Sequence, residues 1–124
     1  MSVSESLENY LETILVLGKK NPVVRSVDVA NELNFKKSSV SVAMKTLREK
    51  SYITVTPEGW IYLTESGKEI AEMIYERHLF ISEWLISLGV DENTAIEDAC
   101  RMEHVISKDS FDAIRTFVNK SLTK

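Results

Sequence analysis

Apolar residues recur at helical spacing along most of this chain and cluster as β-formers over one short stretch. Leu7, Tyr10, Leu11, Ile14 and Leu17 fall at i, i+3 and i+4 steps, which predicts an amphipathic helix ending at Gly18. Asn21-Pro22 breaks it. Ser26 then precedes a short helix with Val29, Ala30 and Leu33 on its apolar side, and Asn34-Phe35 leads into a third helix over Lys36–Lys50. There Val40, Ala43, Met44 and Leu47 point inward and a Ser/Lys face points out. Tyr52–Thr56 and Trp60–Leu63 are β-branched and aromatic around Pro57-Glu58-Gly59, the pattern of a hairpin. Thr64 has the character of an N-cap for a long helix running to Leu88 through Ile70, Met73, Ile74, His78, Ile81, Trp84 and Leu85, with Gly89 as its stop. Asp91 caps a helix to about Val105, and Ser107 a last one with Phe111, Ile114, Phe117 and Val118 on its inner face.

The order of these elements implies a mainly α fold. Residues 1–64 read as a winged helix-turn-helix, and residues 65–124 as a helical unit. A chain of 124 residues suits one domain, or two small ones sharing a core, and shows no internal repeat or linker. Phe80, Trp84, Leu85, Leu88, Phe111 and Phe117 exceed what so few helices can bury among themselves, so a homodimer is expected.

Charge alters the picture locally. The net charge is −4 and the pI about 5.2, an unpromising balance for a nucleic-acid binder. Residues 25–50, however, hold six basic side chains against three acidic ones, a net of +3 that leaves −7 elsewhere. Lys36, Lys37 and Lys45 with Arg25 supply counterion release, and the small hydroxyls of Ser38, Ser39 and Ser41 can approach phosphates and base edges. These residues are the candidates for contact with double-stranded DNA; the competing reading is a plain helical hairpin with a solvated face. The wing tip lacks Lys and Arg, so packing is its first expected role. No apolar run approaches the roughly 18 residues of a membrane span, and the N-terminus lacks the pattern of a secretory signal, which leads to the expectation of a cytoplasmic protein with no membrane partner. The single Cys, Cys100, cannot pair within the chain and fits a reducing compartment.

Cys100 also belongs to the most distinctive stretch, Asp98-Ala99-Cys100-Arg101-Met102-Glu103-His104. Cys100, Glu103 and His104 stand at i, i+3 and i+4, so a thiolate, a carboxylate and an imidazole share one helix face. That is part of a transition-metal site, with further ligands required from elsewhere. A half-buried Cys beside an ordinary charged pair is the alternative. Asn9 and Glu12 project together beside the first apolar stripe and could meet a metal or be solvated surface. His78, on the apolar side of the long helix, reads as a hydrogen-bonded core residue or a ligand.

The winged helix-turn-helix, the long helix with Arg77-His78, and the run Asp98-Ala99-Cys100-Arg101-Met102-Glu103-His104-Val105-Ile106-Ser107 together resemble the diphtheria toxin repressor family of metal-dependent transcriptional repressors. The resemblance covers nearly the whole chain. The run is close to the iron-responsive branch, whereas the length is that of the short, two-domain, manganese-responsive type. The resemblance implies a homodimeric repressor of metal-ion homeostasis, not an enzyme. It would be activated by Fe(II) or Mn(II), with Co, Ni or Zn able to substitute in vitro, and would bind a palindromic operator. It implies ligands at Glu12, His78, Cys100, Glu103 and His104, and points to Asn9, where the iron branch has Met and the manganese branch Asp; an amide offers only its carbonyl oxygen. Ile96 and Ser82 occupy positions where the iron branch's ancillary His and Glu are expected, with Glu83 and Glu97 nearby. A hydrolytic metalloenzyme would need an open coordination position beside a general base, and no separate catalytic cluster is present. A metal-independent winged-helix protein stays open as the alternative.

Overall fold

The computed structural model describes residues 4–122, with six helices and one two-stranded sheet. In order these are α1 (Glu5–Lys20), α2 (Ser26–Leu33), α3 (Lys37–Glu49), β1 (Ile53–Val55), β2 (Ile61–Leu63), α4 (Glu65–Ser87), α5 (Glu92–Val105) and α6 (Lys108–Leu122). The chain divides into two compact units, Met1–Met73 and Ile74–Lys124, with the boundary inside α4.

In the first unit, α1 starts at the N-cap Ser4, whose hydroxyl accepts from the Leu7 N–H. It runs two residues past Gly18, the end expected from the sequence, because Lys19 and Lys20 suit a helix C-terminus and the chain turns extended only at Asn21. Arg25, not Ser26, is the N-cap of α2, and its N–H donates to the Asp28 carboxylate at 2.9 Å. The helix ends at Asn34 in the left-handed region (φ 56°), a conformation Asn tolerates, and this makes the tight turn into α3. Tyr10, Leu11, Ile14 and Leu17 of α1, Val29 and Ala30 of α2, and Val40, Met44 and Leu47 of α3 close one core with Ile53, Ile61 and Ala71.

The hairpin pairs Ile53 with Leu63 and Val55 with Ile61 in antiparallel register. One residue of each strand, Ile53 and Ile61, is buried, so the wing packs on the core as expected. Thr64 caps α4: its hydroxyl accepts from the Gly67 N–H and donates to the Ser51 carbonyl at 2.7 Å. Gly67 lies so close to the loop after α3 that a Cβ there would stand 2.0 Å from the Tyr52 carbonyl oxygen.

In the second unit, Ile81 of α4, Ala99 of α5 and Phe111 of α6 are buried together, with Phe80, Leu85, Met102 and Ile106 against them. Asp91 caps α5 through the Asn93 and Thr94 N–H groups, and Ser107 accepts from the Ser110 N–H at the start of α6. Phe117 departs from the expectation of an inner face: it is 72% exposed. At 3.6 residues per turn it sits about 240° round the helix from Phe111, so the two rings cannot share one packing surface. Leu88 and Met73 are likewise exposed, not packed.

Candidate metal centre and nucleic-acid interface

Three of the side chains singled out in the sequence converge within the second unit. His78 comes from α4, while Cys100 and Glu103 are one turn apart on α5. The His78 Nδ1 lies 3.2 Å from Glu103 Oε1 and 3.7 Å from Cys100 Sγ, and one ligand atom from each of the three falls within 4.8 Å of the others. Imidazole nitrogen, thiol sulfur and carboxylate oxygen are together a mixed donor set for a divalent transition metal.

Glu103 is the unusual member. It is completely buried, and its Oε2 accepts no hydrogen bond from any described residue. Burying a carboxylate with one oxygen unsatisfied is costly, typically 1–3 kcal/mol or more, so such an atom calls for an explanation. A cation at this oxygen provides one, and the residues present therefore fit a metal. The Cys100 sulfur and then the Glu103 carboxylate push the His78 imidazolium up to about 10, with burial opposing them. The cluster holds a proton where a metal would hold a positive charge.

Arg77, adjacent to His78, is buried although it is a charged residue. Its Nη1 donates to the carbonyls of Glu103 (3.2 Å) and Ile106 (2.9 Å), and its guanidinium lies over the Phe111 ring. It thus satisfies carbonyls at the end of α5 and fixes the turn that presents Glu103. In the sequence the signal for Arg77 is a charged residue at a position next to the apolar stripe of a long helix.

The other candidates are distributed between the units. Asn9 and Glu12 are half-buried on α1; His104 is half-buried on α5 and, though it is not one of the His78–Cys100–Glu103 group, brings a ring nitrogen within 4.8 Å of a Glu103 carboxylate oxygen. Ser82 is buried, its hydroxyl donating to the Leu79 carbonyl, and Ile96, Glu83 and Glu97 are exposed.

On the first unit, Lys36, Lys37, Ser38, Ser39, Ser41 and Lys45 are all exposed around α3, as is Arg25 at the start of α2. Ser41, Lys45 and Arg48 line a shallow groove of about 170 Å³ with Ser26 and Val55. The helix thereby presents hydroxyls and ammonium groups on the side opposite its core contacts.

A helix-turn-helix with a packed wing and a basic second helix, joined through one helix to a unit bearing a nitrogen, sulfur and oxygen cluster, defines a metal-responsive DNA-binding regulator. Residues 2–59 match the iron-dependent repressor N-terminal DNA-binding domain, and residues 64–123 the iron-dependent repressor metal-binding and dimerisation domain. The chain belongs to the diphtheria toxin repressor family of metal-dependent transcriptional repressors, whose members are regulators and not enzymes. An uncharacterised helix-turn-helix-type transcriptional regulator of Methanocaldococcus jannaschii is 37% identical over 120 residues, which cover 95% of this chain and 96% of that protein. The transcriptional regulator MntR of Escherichia coli O157:H7 is 33% identical over 116 residues, covering 94% of this chain and 75% of MntR. Among solved structures, the IdeR of T. acidophilum superposes with a TM-score of 0.75 at 28% identity, over 94% of this chain and 55% of IdeR. A manganese-dependent transcriptional repressor in complex with manganese shares the fold, with a TM-score of 0.83 at 22% identity over 91% of this chain and 52% of that one. No described helix is long and apolar enough to cross a membrane.

Proposed function

We propose that this repressor governs metal-ion homeostasis by binding a palindromic operator as a homodimer when loaded with Fe(II) or Mn(II), and that His78, Cys100, Glu103 and His104, with Glu12 and Asn9, are its metal-binding residues. The observation that carries the reading is the buried Glu103 with Oε2 unsatisfied beside His78 and Cys100. A divalent cation supplies positive charge to the thiolate and carboxylates when bound. His78 would hold it as a neutral donor after losing its proton, Cys100 as the thiolate, and Glu103 through the oxygen that otherwise has no partner. Glu12 and Asn9 enter through the family resemblance. They stand on α1, which packs in one core with α3, so their ligation would tie the placement of the DNA-reading helix to metal supply.

Two proteins of this fold, a manganese-dependent transcriptional repressor in complex with manganese and ScaR with bound zinc, support a divalent site without choosing its metal. Cys100 bears on the choice. Thiolate favours softer ions, so Fe(II) or Co(II) should activate this protein at lower concentration than Mn(II) does. Cys100→Glu should reverse that ranking towards Mn(II) in an operator-binding titration. An unchanged ranking would show that the sulfur does not coordinate, and protein purified without chelator that contains no metal and gains none would overturn the metal site altogether.

A further inference from the structure

The outward face of α3 carries a residue that its hydroxyls and lysines do not explain. Val42 is 67% exposed, in the middle of a helix whose other valine, Val40, is completely buried. A β-branched side chain is a poor choice for an exposed helical position, and here it has no packing role to offset that. At helical spacing Ser38, Val42 and Lys45 stand at i, i+4 and i+7, directly opposite the buried Val40, Met44 and Leu47. Thr46 bonds back to the Val42 carbonyl and so turns its own hydroxyl away from this role. The exposed row is therefore hydroxyl, isopropyl, ammonium. It is flanked by Lys36, Lys37 and Arg48, all exposed, so the occupant of the face is polyanionic.

We propose that Val42 is a base-reading residue, its methyl groups packing on the C5-methyl of a thymine in the major groove. The inference rests on the DNA-binding reading of α3. Among the base edges of the major groove only thymine carries a methyl group, so it is the base feature that an isopropyl group packs against best. The lysines hold the helix in register through phosphates, and Val42 adds discrimination that they cannot provide.

Uracil differs from thymine only by that methyl, which makes the test specific. A duplex would first be selected from a random pool by the full-length protein with added Fe(II) or Mn(II). Each thymine of the selected site would then be replaced singly by deoxyuridine. Wild type should lose affinity at one thymine per half-site, about fourfold for the contact of one buried methyl. Val42→Ala, which an exposed helix position accepts without loss of fold, should bind the thymine and uracil duplexes equally and keep the wild-type salt dependence. Wild type indifferent to every replacement, or Val42→Ala retaining the full methyl dependence, would overturn the proposal while leaving DNA binding intact. A selection that returns nothing bound above random DNA would overturn the DNA-binding reading and the inference with it.

Discussion

His78 and Glu103 form an ion pair that competes with the function proposed for them. The imidazolium lies 3.7 Å from the Cys100 sulfur and 3.2 Å from a carboxylate with no exposed surface, and these two neighbours, the sulfur first, raise its affinity for the proton from the ordinary 6.5 to about 10. A base whose folded pKa is raised contributes stability that is fully present below pH 6.5 and is lost as the pH climbs towards 10. Metal ligation requires the same nitrogen without its proton, so apparent metal affinity should rise up to about tenfold per pH unit over this window for this proton alone. Thermal melts should show metal-free protein weakening from pH 6.5 upward while the stabilisation by a fixed metal concentration grows. Metal affinity that is flat between pH 6.5 and about 8 would mean that His78 gives up no proton and is not a ligand.

The same residues show what the sequence could and could not reveal. Spacing placed Cys100, Glu103 and His104 on one helix face, because the helical period is a local property. It could not show that His78 meets Cys100 and Glu103, since this depends on how α4 packs on α5. Nor could it show the complete burial of Glu103 or the hold of Arg77 on the end of α5. Both are products of tertiary packing that leave no periodic trace.

At the level of elements, the junction between wing and long helix depends on one close approach. Gly67 packs against the Tyr52 backbone, and a backbone carbonyl cannot swing aside as a flexible side chain can. Gly67→Ala should therefore destabilise the protein by at least about 1–3 kcal/mol, measured by chemical or thermal unfolding. Wild-type stability in that variant would mean that α4 does not start against this loop. Helix α3 makes a different prediction, because its lysines are exposed and act through charge. Lys37→Ala should weaken binding to all DNA sequences alike and lower the slope of log affinity against log salt by about one. An unchanged slope would remove this face from the DNA. The orientation of α3 was legible in advance, since Val40, Met44 and Leu47 leave only one side for the lysines; its caps, and those of α1 and α2, shifted by one or two residues because terminal hydrogen bonding, not periodicity, decides them.

On the scale of the whole molecule, the chain pairs a DNA-binding domain with a metal-binding and dimerisation domain. Apolar surface remains on the second unit at Leu79, Ile86, Leu88, Val105 and Phe117, which suits a unit that dimerises. Periodicity marked Phe117 as apolar-facing but could not distinguish the inside of one protomer from a surface shared by two. Control of DNA binding by metal at His78, Cys100 and Glu103 is open to a direct test. Affinity for a selected duplex would be titrated with Mn(II), Fe(II), Co(II) and Zn(II) against a chelator control, in wild type and in Glu103→Ala. Wild type should bind weakly in chelator and at least about tenfold more tightly with its preferred metal, and Glu103→Ala should remain folded and show no metal response. Equal binding with and without metal in wild type, or an undiminished metal response in Glu103→Ala, would contradict metal control through this cluster.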